Sequence, residues 1–165
     1  MKTLYILRHA KAEVESASGR DIDRPLSKRG HRDAEAVGHK AHRQGLAIDA
    51  ALVSPATRTR ETIDGFTRGY GPLTAAIADA IYEATVGDLL HLAGSADDAL
   101  ASLMVVGHNP TMHGLALTLS GHDPRLAGGF PTATLATIEF PIDRWRDLGA
   151  TPGELTQLII ARDLP

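Results

Sequence analysis

Leu4-Tyr5-Ile6-Leu7-Arg8-His9-Ala10-Lys11 begins as a short apolar, β-prone run and turns abruptly cationic. A run bounded in this way reads as a buried strand whose C-terminal end delivers Arg8 and His9 to the sheet edge. Ligands of open α/β sheets bind just outside the carboxyl ends of the strands. Arg8 and His9 are therefore a candidate anion site, with an imidazole available as nucleophile or acid–base group. The plainer alternative is that the pair only marks where the strand surfaces, and the other strand ends decide between the two.

Asp49-Ala50-Ala51-Leu52-Val53 is a second strand candidate, followed at once by Ser54-Pro55-Ala56-Thr57-Arg58-Thr59-Arg60-Glu61-Thr62. Pro55 suits the first position of a helix, where its missing N–H costs nothing. Ala56, Thr59, Ile63 and Phe66 then form a buried stripe. Arg58 falls in the first turn, where the helix dipole disfavours a cation unless an anion also binds there. Leu103-Met104-Val105-Val106 is a third strand candidate, running into Gly107-His108-Asn109-Pro110 and a helix with a Met112, Leu115, Ala116, Leu119 stripe. In a parallel sheet these three ends share one rim, so Arg8, His9, Arg58 and His108 converge.

The intervening segments fill in an α/β pattern. Glu13 to Arg24 is polar, without a sustained period, and is expected to be a loop beside the site. Ser27 is a plausible N-cap for a helix carrying Ala34, Val37 and Ala41, with Gly45 as its C-cap. His31, His39 and His42 on that helix lack metal-type partners and are expected on its solvated face. Ala75 to Tyr82 is weakly patterned. Thr85 and Asp88 resemble a capping box before a Val86, Leu89, Leu90, Ala93 stripe, and Ser95 to Ala99 reads as a turn entering a short helix. Thr134 to Phe140 and Leu155 to Ala161 are two more strand candidates. The segment Ile142 to Leu148 between them is expected to be a short helix or turn with Trp145 packed, and the shorter connection suits an antiparallel pair. The expected fold is a single-domain α/β protein over residues 1–165, a three-layer α/β/α sandwich around a mostly parallel central sheet.

Composition narrows the function classes. With 165 residues, 43% hydrophobic and 22% charged, the chain has the make-up of a globular domain. A net charge of −3 and a pI near 6.2 argue against a broad nucleic-acid surface, so any anion site must be a local cluster of cations. The absence of cysteine excludes disulfides, thiolate nucleophiles and zinc–thiolate sites. The N-terminal apolar run ends at Leu7, too short for a signal-peptide core, and no stretch approaches membrane-spanning length. The expectation is a cytoplasmic protein without membrane or nucleic-acid partners.

Leu7-Arg8-His9-Ala10-Lys11, Arg24-Pro25-Leu26-Ser27 with Gly30, Ser54-Pro55-Ala56-Thr57-Arg58 with Thr62, and Val106-Gly107-His108-Asn109-Pro110 together resemble the successive motifs of the histidine phosphatase superfamily, the phosphoglycerate mutase-like or RHG proteins. Their nearest likeness is the small SixA-type phosphohistidine phosphatases. The resemblance implies a phosphoglycerate mutase-like fold and a catalytic histidine that is transiently phosphorylated, the position held by His9. It implies phosphoryl contacts from Arg8, Arg58 and His108, with Arg24 approaching the site. Ala10 stands where a glycine usually follows the Arg-His pair. An asparagine that the mutases carry shortly after it has no match, and their large insertions are lacking, which argues against mutase activity.

The chemistry agrees with that implication. Phosphoryl transfer asks a protein mainly for positioning and charge stabilisation, which arginines supply through planar multi-donor contacts. Two guanidinium groups also keep His9 unprotonated near neutral pH. The expectation is a metal-independent phosphatase without cofactor. Its substrate is a phosphohistidine protein or, alternatively, a small phosphorylated molecule; a third alternative is a non-catalytic module that only binds a phospho-ligand. For a general acid, Glu83 is the nearest candidate, with Asp79 and Asp88 as alternatives, and a solvated loop carboxylate is an equal reading of Glu83.

Overall fold

The computed structural model describes residues 1–165. Six strands form one sheet: β1 (Lys2–Arg8), β2 (Ala50–Val53), β3 (Ala75–Ile77), β4 (Ser102–Gly107), β5 (Thr134–Phe140) and β6 (Glu154–Ile160). Four helices accompany them: α1 (Lys28–Arg43), α2 (Thr57–Tyr70), α3 (Val86–Gly94) and α4 (Thr111–Leu119). The strand order is β3-β2-β4-β1-β5-β6. Pairing is parallel from β3 through β1, while β5 runs antiparallel to both β1 and β6. Helices α1 and α2 cover one face of the sheet and α3 and α4 the other, giving the expected three-layer α/β/α sandwich.

Side chains alternate across the strands and so separate two cores. Leu4 and Ile6 of β1, with Leu103 and Val105 of β4, face Leu89, Met112, Leu115 and Trp145 on the α3–α4 side. Tyr5, Leu7, Met104 and Val106 face Ala34, Val37, Ile63 and Phe66 on the α1–α2 side. β1 and β4 are covered on both faces, which is why both read as nearly unbroken apolar runs. The α1–α2 contact is close because Gly38 has no side chain: a Cβ there would lie 2.1 Å from the Phe66 carbonyl oxygen. At the far end of β1, the buried Lys2 ammonium donates to the carbonyls of Asp98 and Leu100 and lies over the Trp145 ring. Its burial therefore leaves no unsatisfied charge.

Most sequence expectations hold at the level of elements. Ser27 caps α1 by accepting from Gly30 N–H, and Thr85 and Asp88 form a reciprocal capping box. Gly45 lies one residue beyond the C-cap Gln44. Trp145 is fully buried in a single 3-10 turn. Three details differ. Pro55 precedes the N-cap Ala56 rather than opening the helix, because the chain stays extended through Ala56. The weakly patterned Ala75 region contains the edge strand β3, whose residues are all exposed and so carry no alternation. Ser95 to Ala99 is a turn only, and no helix follows it before β4.

Candidate active site

The strand order brings the three suspected strand ends side by side. β4 lies between β2 and β1, with Arg8 in register with Gly107 and Val53 with Val106. Backbone pairing continues one residue further: His9 N–H donates to Gly107 O at 3.0 Å and Ser54 N–H to Val106 O at 3.1 Å. His9, Ser54 and His108 are thus held level on one rim, fixed by the sheet rather than by a loop. The His9 and His108 rings lie 5.4 Å apart, centroid to centroid.

The segment after His9 is pinned from two helices. Thr62 of α2 accepts from Ala10 N–H at 3.0 Å and donates to Arg58 O, linking the chain beside the imidazole to the helix that carries Arg58. Ser27 N–H and Oγ both bond to Lys11 O at the start of α1. A Cβ on Gly30 would lie 2.0 Å from that same carbonyl oxygen, which accounts for glycine three residues into α1. Leu26 N–H bonds to Glu61 of α2, so the Arg24-Pro25-Leu26 segment is fastened as well.

His9 is buried, and its Nδ1 lies 2.7 Å from the Ala10 carbonyl. A carbonyl only accepts, so in the neutral ring Nδ1 carries the proton and Nε2 keeps its lone pair. Burial, together with the charges of Arg58, Arg8 and Arg24, outweighs that hydrogen bond and pushes the His9 pKa down to about 4. His108 is pushed down to about 3, again chiefly by burial and then by Arg58 and His9, with Asp21 acting in the opposite sense. Both imidazoles are neutral at pH 7.

Arg8 donates to Phe130 O at 3.0 Å, and Asn109 donates to the same carbonyl at 2.9 Å. Arg58, only 5% exposed, gives both terminal nitrogens to Asp21: Nη1 to its carbonyl oxygen at 2.8 Å, Nη2 to its carboxylate at 3.0 Å. The Nε of Arg8, the Nε of Arg58 and Nδ1 of His108 are buried without a hydrogen-bond partner. Unpaired buried polar groups are costly. Three around one neutral imidazole form a site suited to the oxygens of a bound tetrahedral anion. No group of three or more His, Asp or Glu side chains comes together as a metal cage.

Arg24 joins the cluster indirectly. Its Nε bonds to Asp21 Oδ1 at 3.0 Å, its Nη1 bonds to the Glu13 carbonyl, and its charge acts on His9. Glu83 lies in the turn after Ile81, exposed and without a hydrogen bond or ion pair, whereas its neighbour Tyr82 enters the site. Asp79 is exposed, and Asp88 is committed to its capping box.

Two participants escaped the sequence reading, Asp21 and Tyr82. Tyr82 donates to Asp21 Oδ2 at 2.6 Å and packs edge-on against His108 at 5.6 Å. That hydrogen bond and the ion pairs with Arg58 and Arg24 hold the Asp21 carboxyl well below the usual carboxylate range. Asp21 belongs to an aperiodic polar loop and meets its partners 37 and 61 residues away, so no local pattern announces it. Ser54 stood inside a recognised motif without a role; it bonds His108 Nε2 at 2.8 Å.

Comparison with known proteins gives the same assignment. Residues 4–101 match the model of the histidine phosphatase superfamily (branch 1). An uncharacterised Mycobacterium tuberculosis protein is 35% identical over 149 residues, covering 86% of this chain and 91% of its own. A structure from Agrobacterium tumefaciens, assigned as a SixA phosphohistidine phosphatase, superposes with a TM-score of 0.84 at 30% identity, covering 96% of this chain and 97% of that one. One from Nakamurella multipartitia, assigned likewise, also gives 0.84, at 28% identity and 96% and 95% coverage. A protein histidine phosphatase SixA complexed with tungstate shares the fold, with a TM-score of 0.80 at 22% identity and 98% coverage of both chains. The chain belongs to the histidine phosphatase superfamily, branch 1, and within it to the SixA-type branch.

Proposed function

We propose that the protein is a phosphatase that works through a phosphorylated His9 and acts on phosphohistidine in a protein. The observation that carries this reading is the neutral His9, with Nδ1 engaged by the Ala10 carbonyl and Nε2 free among Arg8, Arg58 and His108. In the first step the Nε2 lone pair forms a bond to phosphorus as the bond to the leaving group breaks. Arg8, Arg58 and His108 hold the phosphoryl oxygens while charge redistributes among them. In the second step water attacks phosphorus, inorganic phosphate leaves, and Nε2 recovers its lone pair.

The preference for a phosphohistidine substrate rests on what departs. An alkoxide is a poor leaving group and needs a positioned proton donor. An imidazole departs more readily and can take its proton from water. Glu83 is exposed and unpaired, and the carboxylate that does reach the cluster, Asp21, is held ionised and cannot serve as an acid. A groove of about 530 Å³, lined by Val14, Glu15, Ser16, Gly19, Arg20, Asp21 and Arg24, shares Asp21 and Arg24 with the site and lies open on the surface. The relatives from Nakamurella multipartitia and Agrobacterium tumefaciens, assigned as phosphohistidine phosphatases, agree with a phosphohistidine substrate.

The deciding experiment is rapid quenching with a phosphorus-labelled phosphohistidine peptide. Label should appear on His9 as an acid-labile, alkali-stable adduct, and His9→Ala should neither take up label nor turn over while keeping its circular dichroism. A protein that binds the peptide but never acquires label is a binding module. One that turns over small phosphate esters far faster than the peptide is a small-molecule phosphatase.

A further inference from the structure

Ser54 is fully buried at the end of β2, and its hydroxyl has two hydrogen-bond neighbours. Ala56 N–H lies 3.4 Å from Oγ, and His108 Nε2 lies 2.8 Å from it. A backbone N–H only donates, so Ala56 occupies a lone pair of Oγ and leaves the hydroxyl proton to be accounted for. The acceptor within reach of that proton is His108 Nε2. Were Nε2 itself protonated, Ser54 would accept twice and its own O–H would be buried without an acceptor, an arrangement that folded proteins avoid. His108 Nδ1 is buried and makes no hydrogen bond within the protein, so a proton held there is left for a bound ligand to accept.

We infer that Ser54 is a positioning residue that fixes His108 as the Nδ1–H tautomer, so that the ring offers a neutral N–H donor to the phosphoryl group. Which nitrogen of a neutral imidazole carries the proton is decided by what the other nitrogen bonds. Here that decision comes from a serine on the neighbouring strand. The sheet register makes it rigid, because Ser54 N–H is itself bonded to Val106 O, two residues before His108. Thr59 Oγ1 donates to Ser54 O at 2.8 Å and holds the serine from the helix side. The donor role rests on the proposed phosphoryl chemistry; the tautomer does not.

The test is a long-range ¹H–¹⁵N spectrum of the ligand-free full chain near pH 7, with His108 assigned through His108→Gln. Wild type should show His108 protonated on Nδ1. Ser54→Ala should move the proton to Nε2, wholly or in part, and lower kcat by about 10²-fold, the usual effect of losing one preorganised donor. Ser54→Thr, which keeps the hydroxyl, should restore both. Vanadate added to wild type should shift the His108 Nδ1 resonance. An Nε2–H wild type overturns the inference outright, and so does a Ser54→Ala protein that keeps its proton on Nδ1. With a correct tautomer, an Nδ1 signal indifferent to vanadate while the His9 resonances shift overturns the donor role alone, and no response from either ring overturns the phosphoryl reading of the site; the tautomer assignment stands in both cases. If Ser54→Ala does not fold, the wild-type spectrum decides alone.

Discussion

A titration of His9 is the sharpest check on the site, because its two possible outcomes differ by more than an order of magnitude. Burial and the Arg58, Arg8 and Arg24 charges bring its pKa to about 4. With that value, roughly 90% of His9 is still neutral near pH 5, against about 3% for an imidazole titrating at its ordinary value of about 6.5. Nucleophilic capacity near pH 5 should therefore be about 30-fold greater than an unperturbed histidine would allow. The direct measurement is the His9 ring-proton chemical shift of the free protein, followed from pH 8 to pH 3.5. It reports the imidazole without interference from ionisation of the substrate's phosphoryl group. The same titration has a consequence for stability. Below about pH 6.5 the unfolded chain takes up a proton that folded His9 refuses until about pH 4. The stabilising contribution is complete above the unfolded pKa and is lost as pH falls from there toward 4. His9 alone would contribute on the order of 3 kcal/mol to that loss. A midpoint near 6.5 would falsify the electrostatic account, since it would mean that neither burial nor the guanidinium groups act on the nucleophile.

Three substitutions examine its surroundings. Asp21→Asn keeps the shape but removes the charge that steers Arg58. Because Asp21 is half exposed the effect is discounted to about 1 kcal/mol, so kcat should fall about 5- to 10-fold with no rise in the KM for the phosphoryl substrate, and an unchanged kcat would make the contact incidental. Gly30→Ala forces a Cβ against the Lys11 carbonyl, and overpacking of this kind costs about 1–3 kcal/mol; thermal unfolding should show a drop of several degrees, with reduced turnover because Lys11 lies two residues from His9. Glu83→Gln should change the rate on phosphohistidine peptide by no more than about 2-fold while lowering any activity on alkyl phosphates; equal damage to both would make Glu83 a general acid for either substrate.

How much of this was legible in the sequence depends on how far each residue's partners lie along the chain. Leu4 to Leu7 and Leu103 to Val106 declared themselves as strands because both of their faces are buried. The capping box at Thr85 and Asp88 closes within one turn and could be recognised locally. β3 was not recognised, since an exposed edge of Ala75, Ala76 and Ile77 needs no hydrophobic face. At the site, His9, Arg8, Arg58 and His108 were legible because each follows a strand end in a recognisable motif. Asp21 and Tyr82 were not. Each acts through a contact that exists only once the loop before α1 folds back over α2, and neither has a neighbour in sequence that betrays it.

The place of β4 in the sheet ties activity to the order in which the chain is made. β1 is made before every other strand of this sheet, yet it pairs only with β4 and β5, and neither β2 nor β3 is its neighbour. β2 likewise reaches β1 only through β4. The segments carrying His9 and Arg58 are therefore synthesised long before the strand that joins them, and until then β1 has two open edges. Closure of the long segment between β1 and β4 must precede any reward from their pairing. An incomplete chain could hold helical hairpins and yet have no reactive centre. Recovery of catalysis during refolding would accordingly report the arrival of β4, the strand that leads into His108, between β2 and β1.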